Sequence, residues 1–190
     1  MPKIVHKNIL LNADKSNQTL VGIDAALTKT GLCVLEGSSA DIYLIDTRKL
    51  RGAERLYFIG DTIRSLLRAA SPISMGAVEG GAYGAGGHLY QLGQVQGISQ
   101  IALYEEGADI VEVEPTRLKK FFAGHGNASK EKMANAAEEV LETTEGLDDN
   151  MIDSFALAYL LRTYLLEDPQ TRKQAEVILD LEVERFSDGG

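Results

Sequence analysis

The chain of 190 residues has one cysteine, Cys33, and no apolar stretch approaching the roughly 18 to 20 residues that a membrane helix needs. A single cysteine excludes an internal disulfide, a thiolate zinc cluster and a CxxC redox pair. With Leu32, Val34 and Leu35 around it, the Cys33 thiol reads as buried and structural. The start, Met1-Pro2-Lys3-Ile4-Val5-His6, lacks the apolar core of a secretory signal, so a cytoplasmic protein is expected. Basic residues are also short: 19 Lys and Arg against 28 Asp and Glu leave a net charge of −9. A uniformly basic coat for nucleic acid is excluded, and any DNA contact must be local.

What is present describes one compact domain. Apolar residues make up 44% and charged residues 25%, ordinary for a globular protein and too apolar for wholesale disorder. Charge is uneven: residues 117–132 carry five bases and one acid, Glu131, while from Asn135 onward fourteen acids face four bases. The acidic stretch reads as solvated helix faces. Residues 1–18 read as an accessory segment, 19–166 as the core domain, and 167–190 as a C-terminal helix and tail packed on it.

Thr19-Leu20-Val21-Gly22-Ile23-Asp24 is an apolar run ending on a carboxylate, as suits a central strand. Strands are expected again at 32–35 and 41–46, joined by connections short enough for an antiparallel meander. At 53–70 the period changes: Leu56, Ile59, Ile63, Leu66, Leu67 and Ala70 recur every three or four residues, the face of a helix that stops at Ser71-Pro72. Residues 75–79 read as a short strand ending on Glu79, and 80–87 hold five glycines in a loop. A helix is expected at 88–105, with Leu92, Val95, Ile98, Ile101 and Ala102 along one side, and a strand at 109–113. Three more helices follow, at 129–142 with Ser129 as cap, at 150–166, and at 169–185. The class is α/β, with a mixed five-stranded sheet of an antiparallel meander plus two parallel strands, flanked by helices.

Three acids stand where solvation is hard to supply. Asp24 and Glu79 end strands, and Asp153 lies inside Met151-Ile152-Asp153-Ser154-Phe155-Ala156-Leu157. A buried carboxylate needs a cation or hydrogen-bond donor beside it. Ends of neighbouring strands can converge, and a helix across them would deliver Asp153 to the same point. With no histidine-rich or cysteine-rich partner, an all-oxygen cluster suits Mg²⁺, with Mn²⁺ able to substitute. Two such ions about 3.5 to 4 Å apart activate water and stabilise the leaving oxygen in phosphodiester hydrolysis. Taken singly, each acid also has a bland reading as a cap or salt-bridge partner.

Gly22-Ile23-Asp24 with Thr30-Gly31-Leu32, then Val78-Glu79-Gly80, then Gly124-His125-Gly126-Asn127-Ala128-Ser129-Lys130-Glu131, then Asp153-Ser154-Phe155-Ala156-Leu157-Ala158, resemble in order the motifs of the RuvC Holliday-junction resolvases. The glycine loop after Glu79 makes the phage-encoded branch the nearest likeness. The resemblance, over residues 19–165, implies an RNase H-like fold, Mg²⁺-dependent endonuclease activity on branched DNA such as four-way junctions, and a homodimer.

Asp24, Glu79 and Asp153 match the family's metal ligands. A further ligand commonly stands three residues before the last aspartate, where this chain has Asn150; Asp149 is the alternative, or else caps the helix. Lys119 and Lys130 match basic positions at the scissile strand, with Lys130 counted among the catalytic groups, and Arg117, Lys120 and Lys132 are further candidate phosphate contacts. His125 is a loop contact or a plain surface residue. Tyr83, with Tyr90 as the weaker alternative, matches an aromatic that wedges into unstacked DNA. Residues 88–104 match the helix that pairs subunits.

The competing readings are another RNase H-like nuclease acting on flaps, forks or RNA-DNA hybrids, and a non-catalytic junction-binding protein. An actin-like phosphotransferase would need a second similar domain, for which the chain is too short, so no nucleotide cofactor and no membrane partner are expected.

Overall fold

A computed structural model describes residues 1–12, 17–80 and 89–185. The glycine loop, with Tyr83 and His88, lies outside the described residues.

The sheet grows from its most apolar strand. β2 (Thr19–Asp24) is buried along its whole length, as a run without polar alternation requires when both faces are covered. β3 (Lys29–Glu36) and β4 (Ser39–Asp46) continue from it as the antiparallel meander, turning at Gly37, whose φ of +54° favours glycine. On the other side of β2, β5 (Met75–Glu79) and β6 (Asp109–Val113) run parallel to it.

The parallel strands are linked through α1 (Gly52–Ala70) and α2 (Leu89–Glu105), which pack against each other on one sheet face. α3 (Pro115–Ala123), α4 (Lys130–Val140), α5 (Asp149–Leu166) and α6 (Arg172–Leu179) follow. α5 covers the opposite face, over β2 and β3.

Among the described residues the sheet has seven strands rather than five; β1 (Lys3–Leu10) and β7 (Val183–Glu184) are the additions, in the order β1-β4-β3-β2-β5-β6-β7. The residues read as an accessory segment supply β1 (Lys3–Leu10), which pairs antiparallel with β4 along its full length. As an edge strand it buries only Ile9, so its sequence lacks a clean apolar alternation. At the far edge β7 (Val183–Glu184) pairs with β6. The long C-terminal helix expected at 169–185 is therefore cut short: Thr171 caps α6 by accepting from Gln174 N at 3.1 Å, the helix ends at Leu179, and the chain turns to satisfy the open edge of β6.

Side-chain parity divides the core in two. Val21, Ile23, Leu32 and Ile45 face Ile59, Ile63 and Leu67 of α1 and Val95, Ala102 and Leu103 of α2. Leu20, Cys33, Leu35, Met75 and Ala77 face Phe155, Leu157 and Leu161 of α5. Cys33 is fully buried, and burial pushes its thiol well above the ordinary range, as expected of a structural cysteine. Along α2 the expected stripe is only partly internal, because Ile101 points outward and Leu103 inward.

α5 sits unusually close to the sheet. A Cβ at Gly22 would overlap the carbonyl oxygen of Ser154, and one at Gly31 would overlap that of Asn150. Both positions need glycine for close approach rather than for backbone conformation. Gly22→Ala is expected to lower stability by roughly 3 kcal/mol, at the upper end of overpacking costs, because the obstruction is backbone and cannot rotate away. Urea unfolding of the purified variant checks this, read as a lower midpoint at unchanged slope.

Candidate active site

The same parity places the acids. Asp24 follows Leu20 and Gly22 on the α5 face of β2, and Glu79 follows Met75 and Ala77 on the α5 face of β5. The parallel register pairs Ile23 with Val78, so each carboxylate stands one residue beyond that pair, at adjacent strand ends. Opposite Asp24 in the antiparallel ladder is Gly31, where the first turn of α5 comes down. Asn150 Nδ2 consequently donates to Asp24 Oδ2 at 2.7 Å, and Asp153 follows one turn later.

Asp24, Glu79, Lys119, Lys130, Asp149, Asn150 and Asp153 line one cleft of about 360 Å³. The end of α5 is fixed by Asp148, which accepts from Met151 N at 3.2 Å and pairs with Lys29 at 2.9 Å. Asp148 is thus the cap, and Asp149, one of whose expected roles was capping, is the first helical residue and is paired with Lys130. Sequence reasoning missed the Lys29–Asp148 pair, whose partners are far apart in the chain; an acid directly preceding an apolar helix was the available signal.

The electrostatics are those of crowded, poorly solvated negative charge. Asp24, only 4% exposed, is pushed well above the usual carboxylate range by burial and by Glu79, with which it shares a hydrogen bond; Asn150 opposes this. Burial also raises Glu79, while its bond to Asp24 and the charge of Lys119 pull it down. Burial and the charge of Asp24 raise Asp153 to about 7, against the pull of Lys119 and Lys130.

The basic positions separate. Lys119 and Lys130 reach the cleft. Arg117 donates to the Asp180 carbonyl at 3.0 Å, Lys120 pairs with Glu176 at 3.0 Å, and Lys132 lines a different groove beside Phe121 and Tyr159. His125 is exposed in the turn before α4, and Tyr90 is exposed on α2.

The donor chemistry fits a hard divalent ion: every candidate ligand is oxygen, and three acids with raised pKa repel one another without a buried cation between them. The side chains are nevertheless drawn into hydrogen bonds with each other, with Asn150 and with Lys130. Among the described residues no three acidic, histidine or cysteine side chains are gathered tightly enough to hold a metal ion.

A mixed sheet built from an antiparallel meander and parallel strands, with helices on both faces, defines an RNase H-like fold. A sequence model of the family described as crossover junction endodeoxyribonuclease RuvC matches residues 20–160, and the chain belongs to that family. The RuvC of Synechococcus sp. (strain WH7803) is 30% identical over 147 residues, 73% of this chain and 94% of that protein. The solved structure of Thermus thermophilus RuvC is similar with a TM-score of 0.64 and 23% identity, over 80% of this chain and 98% of its own. The T. thermophilus RuvC complex with Holliday junction substrate gives 0.61 and 24%, over 74% and 90%. These two likenesses are of fold.

Because Asp153 is raised from 3.8 to about 7, the metal-free native state binds more protons than the unfolded chain between those values. Stability in chelator is therefore expected to fall as pH rises from about 4 through 7, a loss that Asp153→Asn reduces. Thermal melts across that range, wild type against variant, measure it.

Proposed function

We propose that this protein is a divalent-ion-dependent endonuclease that cuts four-way DNA junctions and related branched DNA in pairs of nicks, as a homodimer in the cytoplasm. The observation that carries the reading is the convergence of Asp24, Glu79 and Asp153 in one cleft with Lys119 and Lys130 beside them. Membership of the RuvC family supports the choice of substrate.

In this reading Asp24, Glu79, Asp153 and one of Asp149 or Asn150 hold Mg²⁺, or Mn²⁺ in its place. Bound there, the ions supply Lewis acidity and an activated water. The protein's own groups do the rest. The acids alone would repel a phosphodiester, and the ammonium groups of Lys119 and Lys130 reverse that locally, drawing the scissile phosphate against the carboxylates. Lys130, 80% exposed, can reach outward to the backbone. Arg117, Lys120 and Lys132 extend the basic band in the role of outer phosphate contacts. With a net charge of −9 the chain attracts DNA locally rather than over its whole surface, and this band beside the cleft favours a branched shape that meets two such bands over linear duplex.

The dimer contact falls on α2. Tyr90 (78% exposed), Ile101 (51%) and Tyr104 (59%) share a face with Gly93 and Gly97, where a Cβ would meet nothing within 4 Å. The helix carries no charge before Glu105. A two-fold axis through such a face gives two active sites for two strands. No helix among the described residues is long and apolar enough to cross a membrane.

Asp24→Asn is expected to keep binding a synthetic four-way junction and to lose nicking by at least about 100-fold, the scale of removing a group that acts in the transition state. Equal cutting by the variant and wild type overturns the assignment, and a wild type that binds junctions without cutting them under Mg²⁺ or Mn²⁺ indicates a binding protein instead. Ile101→Glu is expected to give a monomer by sedimentation velocity and single rather than paired nicks.

A further inference from the structure

The residues available to complete the ion site are both engaged elsewhere. Asn150 gives its amide N–H to Asp24. Asp149 lies four residues before Asp153, on the same face of α5, and its carboxylate is held by Lys130. Lys130 itself is the first residue of α4, where the helix dipole disfavours a cation, so the helix gains nothing from a lysine there. Both members of the pair are substantially exposed, and solvent screening leaves an exposed lysine–carboxylate pair little net stability. A DNA phosphate presented at this exposed ammonium group competes readily with Asp149 for it.

Resting on the reading of this cleft as a nuclease site, we propose that the Lys130–Asp149 ion pair is a latch released by substrate: when the scissile-strand phosphate takes Lys130, Asp149 is freed to complete a second divalent-ion site beside Asp153. Asp149, rather than the neutral amide of Asn150, is the ligand that the second ion recruits. The free protein then holds one ion, and the full complement assembles only on DNA. Lys130 acts in two ways, by binding phosphate and by keeping the second site closed in its absence.

The test counts tightly held Ca²⁺ per chain by equilibrium dialysis. Wild type, K130Q, D149N and K130Q/D149N are each measured free and bound to a four-way junction, with ions held by DNA alone subtracted. Wild type is expected to hold one ion free and two on the junction. K130Q is expected to hold the second ion without DNA, about tenfold or more tighter than free wild type does. D149N and the double variant are expected to hold one ion in both states.

If K130Q matches wild type, or if the double variant keeps the gain of K130Q, the latch is overturned and the nuclease reading stands. In the second case the gain came merely from deleting a positive charge. If wild type holds no ion in either state, the cleft is not a metal site and both fall.

Discussion

Everything at the candidate site depends on how near α5 comes to the sheet. Gly22 and Gly31 let the helix backbone rest directly on β2 and β3, and no larger residue leaves room there. That contact converts an apolar helix into a device for holding a polar turn against buried strand ends. Once Ser154, Leu157 and Ala158 are seated over Gly22, Asn150 has no other place than beside Asp24, and Asp153 enters the cleft that Asp24 and Glu79 line. The apolar remainder of α5, with Phe155, Leu157, Leu160 and Leu161 fully buried, anchors the arrangement.

The cost of that arrangement is electrostatic. Acids brought into a low-dielectric cleft raise one another's proton affinity, and the protein relieves the strain with whatever donors are near: a proton between Asp24 and Glu79, the Asn150 amide, and the charges of Lys119 and Lys130. Each of these is a provisional partner that a divalent ion or a phosphate can replace. An assembly of mutually repelling groups under temporary compensation is poorly suited to a structural role and well suited to binding something cationic together with something anionic.

Much of this was legible residue by residue. The apolar run of β2 ending on Asp24, the carboxylate closing β5, and Asp153 inside an apolar helix each announced themselves, because an acid in apolar company needs a reason. The Ser129 cap was equally plain, with Ser129 Oγ accepting from Lys132 N at 3.3 Å. β1 and β7 were not legible, since edge strands bury too little to impose alternation and take their hydrogen bonds from a neighbour far away in sequence. Nor did the run of bases at 117–132 reveal its division: helical geometry turns Lys119 into the cleft and Lys120 toward α6.

Local chemistry, then, was written into the chain: which residues are acidic, where the central strands and the helices α1, α4 and α5 fall, and that three carboxylates sit where water is scarce. Those follow from periodicity and composition, which act over a few residues. Tertiary structure alone decided that Asn150 faces Asp24, that Asp148 rather than Asp149 caps α5, and that Lys130 is held by Asp149. The first two depend on how far one helix sinks onto one sheet, a distance set by packing between segments more than a hundred residues apart, and the third on how α4 packs against α5.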